Sequence, residues 1–225
     1  MSPRPRTVQD AAILDAAIEV LGRIGSEKMT LADVGAEVGL SAATLVQRFG
    51  SKRELMLALL KQVVGDIDQR FEKAMKDHPS PLDALFAAAA ERPGPTHSHV
   101  SLANRLAFYL SQLEDPEFHE IAVENGRRAI EGYRKLLDAA VEAGELSEGY
   151  TDTAQLAETI YSMGMGSLIT WAVANEGSFK AKVRRDLDIL LRPFRRGPRK
   201  ASAPGDRNGN KHIEAMAAAR PGDGL

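Results

Sequence analysis

The side chains that commonly carry covalent or acid–base catalysis are sparse or scattered in this chain. With Cys 0 in 225 residues, thiol nucleophiles, thiolate zinc sites and disulfides are excluded together. There is no glycine-rich phosphate loop, no G-x-S-x-G elbow and no H-E-x-x-H pair. His97, His99 and His119 invite a metal reading. Helical zinc sites use i, i+4 spacing and a third fixed ligand, so these read as surface or helix-start histidines, and no metal or cofactor is expected. The acids are scattered along helix-forming segments as solvated faces, and no enzyme is expected. The chemistry that remains is hydrogen bonding and surface shape, concentrated between Thr30 and Lys52.

That segment contains Thr30, Gly39, Ser41-Ala42-Ala43-Thr44, Val46-Gln47-Arg48 and Lys52-Arg53. Thr30 with Asp33 has the form of a capping box and opens a short helix, which Gly39 stops. Ser41 caps a second short helix whose inward residues are Leu45 and Phe49, closed by Gly50. Two short helices about a glycine turn form the helix-turn-helix pattern, in which the second helix is offered to a DNA major groove. With Leu45 and Phe49 buried, Ala43, Thr44 and Gln47 face outward, with Val46 and Arg48 on the flanks. Small Ala42 and Ala43 permit close approach, glutamine can pair bidentately with adenine, and alanine or threonine methyls can meet the thymine methyl. Arg48, Lys52 and Arg53 form a basic close suited to phosphates, as do the amides after Thr30 and Ser51.

These residues lie in TLADVGAEVGLSAATLVQRFGSKRELMLALL, which resembles the DNA-binding region of the tetracycline-repressor (TetR/AcrR) family of bacterial regulators. The resemblance covers about residues 8–62. The family's turn glycine, S-x-x-T-L core and F-x-S-K close correspond to Gly39, Ser41, Thr44-Leu45 and Phe49-Gly50-Ser51-Lys52. Val46 stands where the family usually has tyrosine, and Arg48 where histidine is frequent, so a common phosphate-touching hydroxyl is missing and Arg48 is a candidate replacement. The resemblance implies an all-α, nine-helix, two-domain fold with an N-terminal three-helix reading domain and a C-terminal ligand-binding and dimerisation domain. It implies a ligand-responsive repressor acting as a homodimer on a palindromic operator. The alternative from another class is a helical ligand carrier or scaffold that has lost DNA binding.

The positioning elements are legible from caps and apolar periodicity. Helices are predicted over about 8–23, 30–38, 41–49, 51–76, 80–91, 98–113, 116–143, 152–177 and 178–192, with no convincing strand. The organisation expected is a reading domain at 7–53, a ligand-binding and dimerisation domain at 54–192, and a basic disordered tail at 193–225. Arg105, Tyr109, Asn125, Tyr133 and Tyr161 are candidates to line an effector pocket. The helix over 152–177 is apolar nearly all round, so it needs cover on several faces. Ser162, Gly166 and Trp171 on it are candidates for a subunit interface.

Charge and hydropathy fit a protein whose partners are double-stranded DNA, a small-molecule effector and a second copy, with no membrane. The net charge of −2 is a sum over unlike parts. Residues 1–56 carry 7 basic and 7 acidic groups, 57–191 carry 14 and 21, and 192–225 carry 8 and 3. A neutral head with few cations implies modest phosphate-driven affinity and a shallow salt dependence. The first residues lack a signal-peptide core, and the charge-free stretch 159–175 is shorter than the ~20 residues a spanning helix needs, so a cytoplasmic location is expected.

Overall fold

Helix caps set the architecture. A computed structural model of the chain describes residues 8–90, 98–111, 113–147, 152–174 and 176–195. The nine helices among them are α1 (Asp10–Ile24), α2 (Leu31–Val38), α3 (Ala42–Phe49), α4 (Lys52–Asp77), α5 (Pro81–Ala90), α6 (His99–Ser111), α7 (Pro116–Glu142), α8 (Thr153–Ala174) and α9 (Phe179–Leu191). Thr30 and Asp33 form a reciprocal capping box on α2, Ser41 Oγ accepts from Thr44 N on α3, and Ser51 Oγ accepts from Glu54 N on α4. Asp115 accepts from Glu117 N and Phe118 N, with Pro116 in the first turn of α7. Each cap satisfies amides that a helix start leaves without an intrahelical partner. No strand occurs among the described residues, only an isolated bridge between Leu146 and Arg195. The expected breaker at 92–95, His97 and nearly all of the basic tail lie outside the described residues.

Two apolar cores hold the helices. The first gathers Ile13, Ala17, Val20 and Leu21 of α1, Val34 of α2, Leu45 of α3 and Leu55 to Leu59 of α4, closed by Phe108 of α6 and Phe118 of α7. Those two rings meet edge to face at 6.1 Å. The second gathers Ile67 and Phe71 of α4, the alanine-rich face of α5, Tyr133, Leu136 and Leu137 of α7, Ile160 and Leu168 of α8, and Val183 and Leu187 of α9. Phe71 packs edge to face on Tyr133 at 5.0 Å, and α7 approaches so closely that a Cβ at Gly132 would lie 2.3 Å from the Phe71 ring. Helix α4 therefore runs unbroken through the expected boundary at 53/54 and supplies both cores.

The expected subunit-interface role of Trp171 is corrected. Its ring is 7% exposed, packs at 5.8 Å on Phe179, and its Nε1 donates to Gly177 O at 3.2 Å, so it serves the core of its own chain. Ser162 and Gly166 are exposed on the opposite side of α8, and a Cβ at Gly166 would meet nothing within 4 Å.

Candidate functional site

Helix α3 owes its placement to its two ends. Gly39 takes φ 69°, ψ 30°, a left-handed conformation that costs glycine nothing and makes the sharp turn between α2 and α3. Leu45, fully buried, anchors the inner face, while Phe49 is half-buried. Ala43, Val46 and Gln47 are exposed, and Val46 is 50% exposed. Thr44 turns further in than the wheel suggests, and its Oγ1 lies 2.9 Å from Ser41 Oγ. The outward face of α3 is thus Ala43, Val46 and Gln47: small, apolar and amide groups with no carboxylate among them. At the start of α2, Thr30 Oγ1 and N both donate to Asp33, holding that carboxyl below its usual range.

The cations of this region are occupied within the chain. Arg48 Nη1 donates to Val8 O at 2.6 Å and to Asp10 at 3.2 Å, tying α3 to the start of α1. Lys52 Nζ donates to Ser26 O and Glu27 O in the segment that follows α1. Arg53 forks onto Asp115 at 2.9 and 2.8 Å and reaches Glu117 at 3.2 Å. Hydrogen bonding to Arg53 lowers the Asp115 pKa, and that to Asp115 raises the Arg53 value. In the chain by itself the basic close expected at phosphates is a set of clamps that fix α3 and α4. These partners lie up to 64 residues away along the chain, which is why local pattern did not show them.

Beneath α1 and α4 lies a cavity of about 220 Å³, walled mainly by α1, α4, α6, α7 and α8, with Ala89 of α5. Arg105, Tyr109, Asn125, Tyr133 and Tyr161 all line it, so the structure brings together the five polar and aromatic candidates for an effector pocket. Most of the remaining wall is aliphatic, including Leu59, Val63, Ile67, Ile160, Met163 and Leu168. Arg70 also lines it and escaped the sequence reading. Its position at i+3 from Ile67 and i+7 from Val63 was the available signal, since those neighbours face inward. The Arg70 side chain lies over the Phe71 ring at 5.1 Å, and its Nε is buried with no hydrogen-bond partner among the described residues. Burial pushes the Arg105 pKa down, opposed by the charge of Glu19 on α1.

Helix α6, which lines the cavity, is hydrogen-bonded to α1. Asn104, beside Arg105 on α6, donates through Nδ2 to Gly22 O of α1 at 2.8 Å. A Cβ at Gly22 would lie 2.3 Å from Ser101 Oγ, so the glycine lets α6 press onto α1. His99 opens α6 and His119 is exposed on α7, and no group of three or more potential metal ligands occurs among the described residues.

With this geometry in place, likeness to known proteins is informative. Residues 13–59 match the family model of bacterial regulatory proteins of the tetR family. The chain is 21% identical over 177 residues to a fatty acid metabolism regulator protein of Bacillus subtilis, covering 77% of this chain and 87% of that one. Among solved structures, a transcriptional regulator of Saccharomonospora viridis in complex with choline superposes with a TM-score of 0.67 at 18% identity, over 81% of this chain and 95% of that chain. FadR of Bacillus subtilis in complex with stearoyl-CoA does so with a TM-score of 0.60 at 19% identity, over 81% and 98%. The structural likenesses establish a shared helical fold, and the motif match falls on α1 to the start of α4, where α3 is presented. Residues 13–59 thus carry the N-terminal region of the tetR family of bacterial regulatory proteins, in a chain that shares its helical fold with regulators of that kind.

Proposed function

We propose that the protein is a homodimeric repressor that reads a palindromic operator with α3 and releases it when an effector enters the α1/α4/α6/α7/α8 cavity. It acts by binding and not by catalysis. The observation that carries this reading is the outward face of α3, Ala43, Val46 and Gln47, held free of carboxylates between the Gly39 turn and the Ser51 cap. Gln47 is the base-reading residue, Ala42, Ala43, Thr44 and Val46 set close apolar contact, and the amides following Thr30 and Ser41 meet phosphates. Arg48 and Lys52 act one step back, by orienting α3.

Dimerisation is supported by an exposed stripe on α8, Ser162, Gly166, Ile169 and Val173, with Ile169 49% and Val173 82% exposed, and by Ile189 of α9 at 57%. Exposed aliphatic side chains beside a glycine suit close pairing of helices across a two-fold axis. Such an axis would place two α3 helices ~34 Å apart, the spacing of successive major grooves. Because α4 begins directly after α3 and lines the cavity farther along, an effector that favours another α4 placement changes that spacing. The effector must bind the DNA-incompetent arrangement more tightly than the competent one.

The test is selection of bound sequences from random duplexes followed by gel-shift titration. The selected site is expected to bind well ahead of competitor DNA, and Gln47→Ala to lose about 1–3 kcal/mol of affinity for it. A scaffold without DNA function would show neither, and absence of any preferred duplex overturns the proposal.

A further inference from the structure

Arg53, in the first turn of α4, is held by several acids at once. Its Nε meets Asp115 at 3.1 Å and its Nη2 at 2.9 and 2.8 Å, while Nη1 lies 3.2 Å from Glu117 and 3.9 Å from Glu54. Arg53 Cζ lies over the Phe118 ring at 5.4 Å, and Glu117 also accepts from Lys61 of α4 at 3.2 Å. Exposed ion pairs usually contribute little, but a bidentate fork inside a network is the exception. Asp115 is moreover fixed beforehand. Its Oδ1 accepts from Glu117 N at 3.0 Å and Phe118 N at 3.5 Å as the cap of α7, so pairing removes little further side-chain freedom.

The other two cations of the basic close are held differently. Arg48 pairs with one carboxylate, Asp10, and Lys52 rests on two carbonyl oxygens. A phosphate approaching Arg53 would instead face Asp115, Glu117 and Glu54 together, and drawing the guanidinium away would leave Asp115 without its cation. The surroundings of Arg53 therefore oppose a phosphate contact and favour its present one.

Resting on the repressor reading above, we infer that Asp115 and Glu117 are positioning residues for operator recognition. They are acids that favour DNA binding, because they hold Arg53 and with it the junction of α3 and α4. Helix α3 ends at Phe49 and α4 begins at Lys52, so the held residue follows the reading helix almost directly. Helix α7, capped by the same Asp115, lines the cavity farther along with Asn125, Ala129 and Tyr133, so one helix joins the cavity to that junction. A carboxylate near a reading surface ordinarily repels phosphate, and removing one tightens binding to any duplex. For the operator the sign is reversed here.

The experiment is anisotropy titration of the full chain, over a series of salt concentrations, with the duplex selected by the wild type and with a scrambled duplex. Asp115→Asn keeps a capping oxygen for α7 but removes the charge and half of the fork. It is expected to weaken operator binding about five-fold, without weakening binding to the scrambled duplex and without changing the salt slope. Arg53→Met is expected to lose as much, Arg53→Lys less, and the double variant Arg53→Met with Asp115→Asn no more than either alone. If Asp115→Asn fails to fold, Glu117→Gln carries the same comparison. Tighter operator binding by the asparagine variant, a salt slope smaller by about one in Arg53→Met, or additive losses overturn the inference. Hydrogen exchange of the free protein needs no operator: amides of residues 42–49 are expected to exchange about five-fold faster in Asp115→Asn, with α9 unchanged. Equal exchange in α3 overturns the inference too. Failure of the repressor reading is a separate result, the absence of any preferred duplex for the wild type, and the exchange comparison then still decides whether the acids hold α3.

Discussion

In the reading region, Arg48 and Arg53 lie on carboxylates brought from other helices, 3.2 Å from Asp10 and 2.8 Å from Asp115. In the cavity region, Arg70 and Arg105 sit in a wall without carboxylates. The same residue type thus braces helices through carboxylates in one region and lines a mostly aliphatic cavity in the other. The difference teaches that the number of cations near a reading helix is a poor guide to its electrostatic pull. Arg48, Lys52 and Arg53 already have partners within the chain, and those contacts would have to be exchanged before the three could pair with phosphate.

The strongest way to break the comparison is to ask whether the two regions fold separately. Leu45 is fully buried in the first core, and truncating such a leucine costs about 2–5 kcal/mol through lost burial and the cavity left behind. Because α4 supplies both cores, and because Phe108 and Phe118 from the body close the first, Leu45→Ala is expected to lower one common transition in chemical denaturation. Two separated transitions, with the later midpoint unchanged from wild type, would establish a reading domain that ends near residue 53 and folds by itself.

How much of this was visible in the sequence follows the same division. Caps act within three residues, so Thr30, Ser41, Ser51, Asp115 and Ser178 announced their helices, and the outward placement of Ala43 and Gln47 followed from a wheel anchored on Leu45. Val46, placed on a flank, proves to be part of the exposed face. The clamps on Arg48, Lys52 and Arg53 join groups 25 to 64 residues apart, and no local pattern encodes them. Within the cavity, tyrosines and Arg105 stood out on apolar helix faces, whereas Arg70 resembled the solvated residues flanking it on α4. Trp171 was misplaced because a helix apolar on all sides does not reveal which side meets its own chain.

A smaller effect sharpens the joint between the regions. Alanine at Gly22 gains helix propensity of up to about 1 kcal/mol over glycine, but its Cβ would lie 2.3 Å from Ser101 Oγ. Crowding of this kind typically costs about 1–3 kcal/mol, reduced here because a serine side chain can turn. Gly22→Ala is expected to be mildly destabilising and to loosen the Asn104–Gly22 hydrogen bond. Combining it with Ser101→Ala should restore the loss, giving a coupling energy in a double-mutant cycle. Additive effects would mean that α1 and α6 are not in tight contact there.

The smallest effect concerns the ion pairs that brace α7. Arg127 and Arg128 hydrogen-bond to Glu124 and lower its pKa from 4.5 to about 2, and Arg128 also reaches Asp68 of α4 at 3.2 Å. A carboxylate with a lowered folded-state pKa stabilises fully above its ordinary value and loses that contribution as pH falls through the folded value. Thermal stability should therefore decline between pH 4.5 and about 2, with Asp115 and Glu117 adding in the same direction through Arg53 and Lys61. Glu124→Gln is expected to flatten the decline in thermal melts across that range, and added salt to shrink the difference, because these pairs are exposed. An unchanged pH profile in the glutamine variant would show that the Glu124 pairs contribute nothing to holding α7.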